Sequence, residues 1–244
     1  MSLIHSLLLA LTQGIAEFLP ISSSGHLNLA QYFLNLTPSL SFDIFLNTAS
    51  LLSVLFFFRS QINYFFKNIL FIIIASLPAA IVGLLFKNNI ELIFVNIKLL
   101  PLFFFITSLF VYLTRYLSIK DNKITYKKAL IIGLFQALAI LPGVSRSGST
   151  IFAGLLMGLS PLTAFQFSFT LFIPASIGAL LLDLKNLSNF SVFASRPYLI
   201  SFITTFAVGL VALKCLQQLL VKNKIWYFSL YTFVLALILL FIIK

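Results

Sequence analysis

Apolar residues in this chain come in long blocks broken by short polar interruptions, and the block lengths predict the fold. Stretches such as NILFIIIASLPAAIVGLLF (68–86) and WYFSLYTFVLALILLFII (226–243) have the roughly 20-residue length that spans a bilayer as a helix. The apolar positions are contiguous rather than alternating, which argues against a transmembrane β-barrel. Long spans are predicted at about 41–58, 66–86 and 92–117, and again at about 161–183, 198–220 and 225–243. Ahead of each set lies a pair of shorter helical segments, at about 2–18 and 24–35, then at about 127–141 and 148–157. Pro20 and the Ser-Gly run interrupt the first pair; Pro142-Gly143 and Ser147-Gly148 interrupt the second.

The two halves correspond. Laying Gln13 on Gln136 also lays Ala16 on Ala139, Ser22 on Ser145, Ser24 on Ser147, Gly25 on Gly148 and Phe42 on Phe165. The matches fall on the most polar stretch of each half, which points to an internal duplication. A helix break at membrane depth is tolerated only where it is buried in protein or lines a wet cavity, so each broken pair reads as a re-entrant hairpin that enters and leaves on one face. Each half then crosses three times, an odd number, which sets the halves upside down and lets the two tips meet near the midplane. The expected fold is therefore all-α: a polytopic integral membrane protein of two inverted-topology repeats, each a re-entrant helical hairpin plus three transmembrane helices. Repeat one covers about 1–117 and repeat two about 127–244, joined by a cytoplasmic loop at about 118–126 within a single membrane domain.

Composition agrees. Of 244 residues 61% are hydrophobic and only 9% charged, against about 25% charged in a soluble domain, and the mean hydropathy is +1.11. The net charge of +11 does not imply nucleic-acid binding, because the cations sit in short gaps between apolar runs, as in RYLSIKDNKITYKK (115–128), and form no stripe able to cover phosphates. That is the pattern of loops facing anionic lipid. Arg59, Lys67, Arg115, Lys120, Lys123, Lys127, Lys128, Lys222 and Lys224 fall on one face, and Lys87, Lys98, Lys185, Arg196 and Lys244 on the other. The first face is thus the cytoplasmic one, with both termini and the mouth of the first hairpin outside. The N-terminus lacks a basic leader and a small-residue cleavage site, so it does not read as a removed signal peptide. Cys215 is the single cysteine and reads as a small apolar residue.

The polar tips carry the candidate chemistry. EFLPISSSGH supplies Glu17, Ser22, Ser23, Ser24, Gly25 and His26, with Gln13 one helical turn before Glu17 and on the same helix face. GVSRSGST supplies Ser145, Arg146, Ser147, Gly148, Ser149 and Thr150. Ionisable residues inside a membrane mark functional sites. A guanidinium suits phosphate or carboxylate, and two helix N-termini add unpaired N–H groups that favour an anion. A diphosphate fits. Glu17 would repel that anion unless a divalent cation bridged them or the carboxylate accepted a proton. The plainer readings are an Arg146–Glu17 ion pair without chemistry and a core histidine at residue 26. Taken alone, the residues describe a membrane protein that binds a phosphorylated or anionic substrate.

QGIAEFLPISSSGH and LPGVSRSGST resemble the two signature motifs of the undecaprenyl-diphosphate phosphatase, or bacitracin-resistance, family: (E/Q)xxxE followed by FLPxSSxGH, and PGxSRSGxT. The resemblance extends through FSFTLFIPASIGALLLD (167–183) and covers essentially the whole chain. It implies a multi-pass enzyme of the bacterial cytoplasmic (inner) membrane; the loop charges, rather than the resemblance, set its site opening to the periplasmic or outer side. Such an enzyme removes the terminal phosphate from an isoprenoid diphosphate lipid and returns the monophosphate carrier to cell-wall synthesis. It also implies a divalent cation, Mg2+ or Ca2+, and an inverted-repeat fold that is often a homodimer. Carried over by position, Gln13 and Glu17 match the first pair, Ser23 and His26 the SSxGH serine and histidine, and Ser145, Arg146 and Thr150 the second motif. On this reading Glu17, Ser23, His26 and Arg146 are catalytic. Ser22, Ser24, Gly25, Ser145, Ser147, Gly148 and Thr150 bind substrate, and Glu17 with Gln13 holds the metal. Ser23 is the expected nucleophile with His26 or Glu17 as its base; attack by water, or by His26 itself, is the alternative. Gln166 and Asp43 stand where the family commonly has Glu, departures that bear on metal preference and rate. The rival class is a lipid-phosphate transporter or flippase that binds the same head group without cleaving it, since broken helices at the midplane are also how secondary transporters are built.

Overall fold

The computed structural model describes residues 1–37, 39–119, 121–183 and 195–243. Lys120, Lys185 and Lys244 of the loop-charge argument lie outside the described residues.

Secondary structure among the described residues is entirely helical. The first polar interruption separates α1 (Leu3–Ala16) from α2 (Ser23–Phe33), and the second separates α8 (Tyr126–Leu138) from α9 (Arg146–Leu156). Between them run α3 (Leu40–Phe57), α4 (Ile62–Lys67), α5 (Ile69–Leu85), α6 (Lys87–Val95) and α7 (Leu100–Leu113). After the second hairpin come α10 (Pro161–Asp183), α11 (Arg196–Val221) and α12 (Tyr227–Ile242). These bounds follow the hydropathy blocks closely.

Three stretches, Ile97–Tyr116, Pro161–Leu182 and Arg196–Val221, are long and apolar enough to cross a bilayer alone. The spans expected at 41–58 and 66–86 are each the apolar arm of a bent pair: Ser41–Phe57 turns by 63° into Arg59–Lys67, and Ile69–Leu85 turns by 81° into Lys87–Phe94. Counting each pair once gives five crossings by length and composition. The sixth expected span, at 225–243, is the 16-residue α12, whose length of about 24 Å falls short of the roughly 30 Å hydrocarbon core. The chain is a multi-pass membrane protein.

The packing pairs one half with the other. α1 lies along α11, α8 along α5, and α7 along α12. Exchanging α1 with α8 and α11 with α5 maps the first of these pairs onto the second. The contacts use what membrane helices have in place of a hydrophobic drive, namely small residues and hydroxyls. A Cβ at Gly133 would lie 2.4 Å from the Ala75 carbonyl oxygen, so only glycine lets α8 approach the α5 backbone. At the corresponding crossing, Thr205 Oγ1 donates to the Ala10 carbonyl at 3.1 Å. Ser108 Oγ donates to the Ser229 carbonyl between α7 and α12 at 2.9 Å, and Ser53 Oγ to the Phe206 carbonyl between α3 and α11 at 2.9 Å. The largest core cluster gathers Phe18, Phe165, Phe167, Phe169 and Phe172, so the turn after α1 is anchored by Phe18 against α10, with ring centroids 5.7 Å from Phe169.

Gly133→Val is expected to destabilise the detergent-solubilised protein by roughly 1–3 kcal/mol, the usual cost of overpacking. Gly178→Ala, where a Cβ meets nothing within 4 Å, should be neutral or stabilising by up to about 1 kcal/mol. Thermal unfolding of both variants checks this; equal effects would count against the close α5–α8 crossing.

Candidate active site

The two tips are built by the same local device. Ser22 precedes α2 and its Oγ accepts from the Gly25 N–H at 3.4 Å; Ser145 precedes α9 and its Oγ accepts from the Gly148 N–H at 3.1 Å. Each is an N-cap with its glycine three residues on, at the positions the repeat aligns. The first tip is the more strained, since Ser22 sits at φ 72°, a left-handed conformation that non-glycine residues rarely hold without a constraint around them. Thr107 on α7 pins the second: its Oγ1 accepts from the Ser145 N–H at 2.8 Å and donates to the Gly143 carbonyl at 2.6 Å.

The tips touch. A Cβ on Gly25 would lie 2.9 Å from Gly143 Cα and 2.6 Å from the Phe104 ring, so the approach requires glycine. Ser147 Oγ donates to the Leu19 carbonyl across the interface at 3.3 Å. Between them stands Glu17, which immediately follows α1. Arg146 Nη2 donates to Glu17 Oε1 at 3.0 Å, and Oε2 accepts from Ser23 Oγ at 2.6 Å and from Gln13 Nε2 at 3.0 Å. Gln13 Nε2 also reaches Ser50 Oγ at 3.3 Å. The charged pair is largely shielded, with side-chain exposures of 14% for Arg146 and 10% for Glu17. The guanidinium lies 4.1 Å over the Phe172 ring and 5.4 Å from that of Phe169, and its Nη1 donates to the Ser168 carbonyl at 3.4 Å. One carboxylate therefore gathers a cation, an amide and a hydroxyl.

Of the residues expected from sequence, Gln13, Glu17, Ser23 and Arg146 form a single connected group. Ser22, Ser145, Ser147 and Thr150 are buried and hydrogen-bonded within the scaffold; Thr150 Oγ1 shares a 2.6 Å hydrogen bond with Ser168 Oγ. Ser24 remains half-buried, with its Oγ 3.4 Å from Ser22 Oγ. Gly25 and Gly148 supply the capped N–H groups and the space for close approach. The first-turn N–H groups of α2 and α9 have no intrahelical acceptor and begin beside this group.

His26 faces elsewhere. Its Nδ1 is 2.7 Å from the Ser22 carbonyl and its Nε2 is 2.7 Å from Tyr231 Oη on α12, while its ring meets Phe104 edge-on. Asp43 and Gln166 are engaged outside the group: Gln31 Nε2 donates to Asp43 Oδ1 at 2.8 Å, and Gln166 Nε2 to Gln61 Oε1 at 2.8 Å. Sequence reasoning missed Tyr231, Thr107, Ser168 and Phe172. For Tyr231 a signal existed, since a phenolic hydroxyl within an apolar run needs a hydrogen-bond partner.

Residues 6–238 match the family described as bacitracin resistance protein BacA. The chain is similar to undecaprenyl-diphosphatase 1 of Bacillus cereus, 36% identical over 95% of this chain and 94% of that one. It is 35% identical to the undecaprenyl-diphosphatase of Methanobrevibacter smithii, over 98% of this chain and 96% of the relative. It is 38% identical to that of Thermosipho africanus, over 98% and 99%. With more than a third of positions shared along essentially the full length, and both polar tips inside the matched region, the chain belongs to the bacitracin resistance protein BacA family.

Proposed function

We propose that this chain is a membrane phosphatase that hydrolyses undecaprenyl diphosphate to undecaprenyl phosphate and inorganic phosphate, and so recycles the lipid carrier for cell-wall synthesis. Its relatives carry the name of that activity. The observation that carries the reading here is the Ser23 hydroxyl donating to Glu17 at 2.6 Å while Arg146 holds the other carboxylate oxygen at 3.0 Å. That is a hydroxyl paired with its base, beside a cation suited to phosphate. A carrier that only bound the head group would need the hydroxyls and Arg146, but not the base–nucleophile pair.

In the proposed reaction Ser23 Oγ gives its proton to Glu17 Oε2 as it attacks the terminal phosphorus. The bond from that phosphorus to the bridging oxygen breaks, and undecaprenyl phosphate departs with that oxygen and its electron pair. Glu17 passes its proton to the departing phosphate, then accepts one from the water that attacks the phosphoserine. Ser23 leaves as the new P–O bond forms, taking a proton back, and inorganic phosphate is released. Arg146 spends one N–H on Glu17 and one on the Ser168 carbonyl. Its other donors, with the backbone N–H groups of Ser23 and Ser24 on α2 and of Arg146 and Ser147 on α9, which the serine caps leave open, would meet phosphoryl oxygens as charge develops. Glu17, rather than His26, is the base in this scheme, because both imidazole nitrogens are engaged with Ser22 and Tyr231.

A Mg2+ or Ca2+ ion fits the donor set in part. Glu17 offers a carboxylate whose oxygens are shared with Arg146, Ser23 and Gln13. Gln13 turns its Nε2 toward that carboxylate, so that only its amide oxygen would serve a cation, and no cluster of three or more His, Cys, Asp or Glu occurs among the described residues. The remaining ligands would be phosphate oxygens and water, as is usual for Mg2+. Bound there, the cation would neutralise charge on the transferring phosphoryl group. The proposed architecture keeps two inverted repeats, about 1–117 and 127–244, in the cytoplasmic membrane, with the site opening outward and the basic loop at about 118–126 inside. The support is the exchange pattern of helix pairs and the cations around that loop, where Lys128 Nζ lies 3.6 Å from Asp121 Oδ2. Exposed apolar residues on α5 and α11, such as Leu77, Ile81, Ile203 and Val211, would lie against lipid and the isoprenoid tail, and a homodimer is compatible with the same reading.

Purified protein in detergent, given undecaprenyl diphosphate labelled in its terminal phosphate, is expected to release inorganic phosphate, to stop on addition of EDTA, and to carry label on Ser23 when quenched in turnover. Label on His26, or none on the protein, would replace Ser23 by His26 or water; absence of release would leave the carrier reading. Arg146→Ala should lower phosphate release by roughly 10²–10³, the usual cost of removing one group that stabilises developing charge, while inserting normally; near-normal turnover would exclude Arg146 from the site. A cysteine at Lys123 in a Cys215→Ser background should react with a membrane-impermeant maleimide in inside-out vesicles and not in intact cells; the opposite result reverses the orientation.

A further inference from the structure

His26 is the ionisable group of the first tip that the proposed reaction does not employ as the base of Ser23, which leaves it for proton exchange with the surroundings of the site, and its own surroundings are specific. Ser22 offers Nδ1 a carbonyl oxygen at 2.7 Å, which can only accept, so Nδ1 carries the proton in this arrangement. Nε2 is then the nitrogen with a free lone pair in the neutral ring, and Tyr231 Oη lies 2.7 Å from it. The two rings are stacked, with centroids 5.7 Å apart and planes 16° from parallel, and Phe104 closes the edge at 5.2 Å. The contact joins residues 205 positions apart and brings the final helix onto the first motif. Packing alone would be served by phenylalanine, so the hydroxyl is the part that needs a reason.

We propose that Tyr231 is a positioning residue of the phosphatase site: with the Ser22 carbonyl it holds His26 in one ring orientation and one tautomer, so that proton exchange at His26 runs through Nε2 on the α12 side while Ser23 is left to Glu17. This rests on the phosphatase reading above. It assigns α12 a part in the site beyond packing on α7.

The chain has two histidines, His5 and His26, so an imidazole nitrogen-15 spectrum of the detergent-solubilised protein is simple, and a His5→Gln variant assigns it. Tyr231→Phe preserves the stacking and removes only the hydroxyl. The expected result is a shift of the His26 Nε2 resonance with Nδ1 still protonated, and a kcat for phosphate release lowered by about tenfold or more with little change in KM, as the loss of one well-placed hydrogen bond to an acid–base group allows. In a His26→Asn background the same substitution should cost nothing further, because coupling vanishes when the group it acts through is gone. An unchanged Nε2 resonance, an unchanged kcat, or an undiminished effect of Tyr231→Phe in the His26→Asn background would each overturn the assignment. A wild-type protein that releases no phosphate would instead sink the phosphatase reading and with it the catalytic part of the proposal, and the spectrum would still decide whether Tyr231 sets the tautomer.

Discussion

The ion pair between Arg146 and Glu17 is the contact on which the interior of this protein turns. A guanidinium or a carboxylate buried alone at membrane depth is costly, and each becomes tolerable when it meets the other with further hydrogen bonds. Here the two come from the corresponding tips of the two halves of the chain. The turn after α1 delivers the carboxylate and the first residue of α9 delivers the guanidinium, so satisfying either charge requires that the hairpins be docked. The cap at Ser22, the Thr107 clasp on the second tip, the glycine contact between Gly25 and Gly143 and the Phe172 ring beneath the guanidinium all serve to hold that junction at hydrogen-bonding distance.

Around the junction the division of labour among hydroxyls is instructive. Most of the serines and threonines in the two motifs are consumed by the scaffold. They cap helices, bridge the tips or bond to one another, and so keep backbone polar groups satisfied where no water reaches. Ser23 differs because its partner is a carboxylate, and that difference selects it from a run of three chemically identical serines. The proposed reaction therefore draws on few side chains held by many.

Much of this was legible in the sequence. The helix boundaries followed from apolar block lengths because membrane helices must match a fixed thickness, and the breaks followed from Pro and Ser-Gly runs because little else interrupts a helix there. The repeat alignment found the paired serine caps, since the Ser22–Gly25 and Ser145–Gly148 offsets are local geometry. Gln13, Glu17 and Arg146 declared themselves as polar groups with no business in lipid unless partnered. The span ends at Phe58 and Phe86 were readable, because Arg59-Ser60-Gln61 and Lys87-Asn88-Asn89 follow them, but the turns of 63° and 81° into α4 and α6 were not, since no proline or glycine at either position sets a direction. The orientation of His26 was equally hidden. Its spacing from Ser23 suggested a base, but the direction of its ring is set by a tyrosine on the last helix, and pairing at such sequence distance leaves no local trace. Thr150 illustrates the reverse case, a motif residue whose hydroxyl the fold turns toward Ser168.

The 129 positions between Glu17 and Arg146 bear on how the protein can be made. As the chain emerges, the acid is delivered to the bilayer long before its counter-charge has been synthesised, so no amino-terminal fragment ending before residue 146 can neutralise it by this contact. Biogenesis of the first half is thus left waiting on the second, and the moment at which α9 docks is the moment at which the nascent polypeptide acquires both its electrical balance and the group beside Ser23.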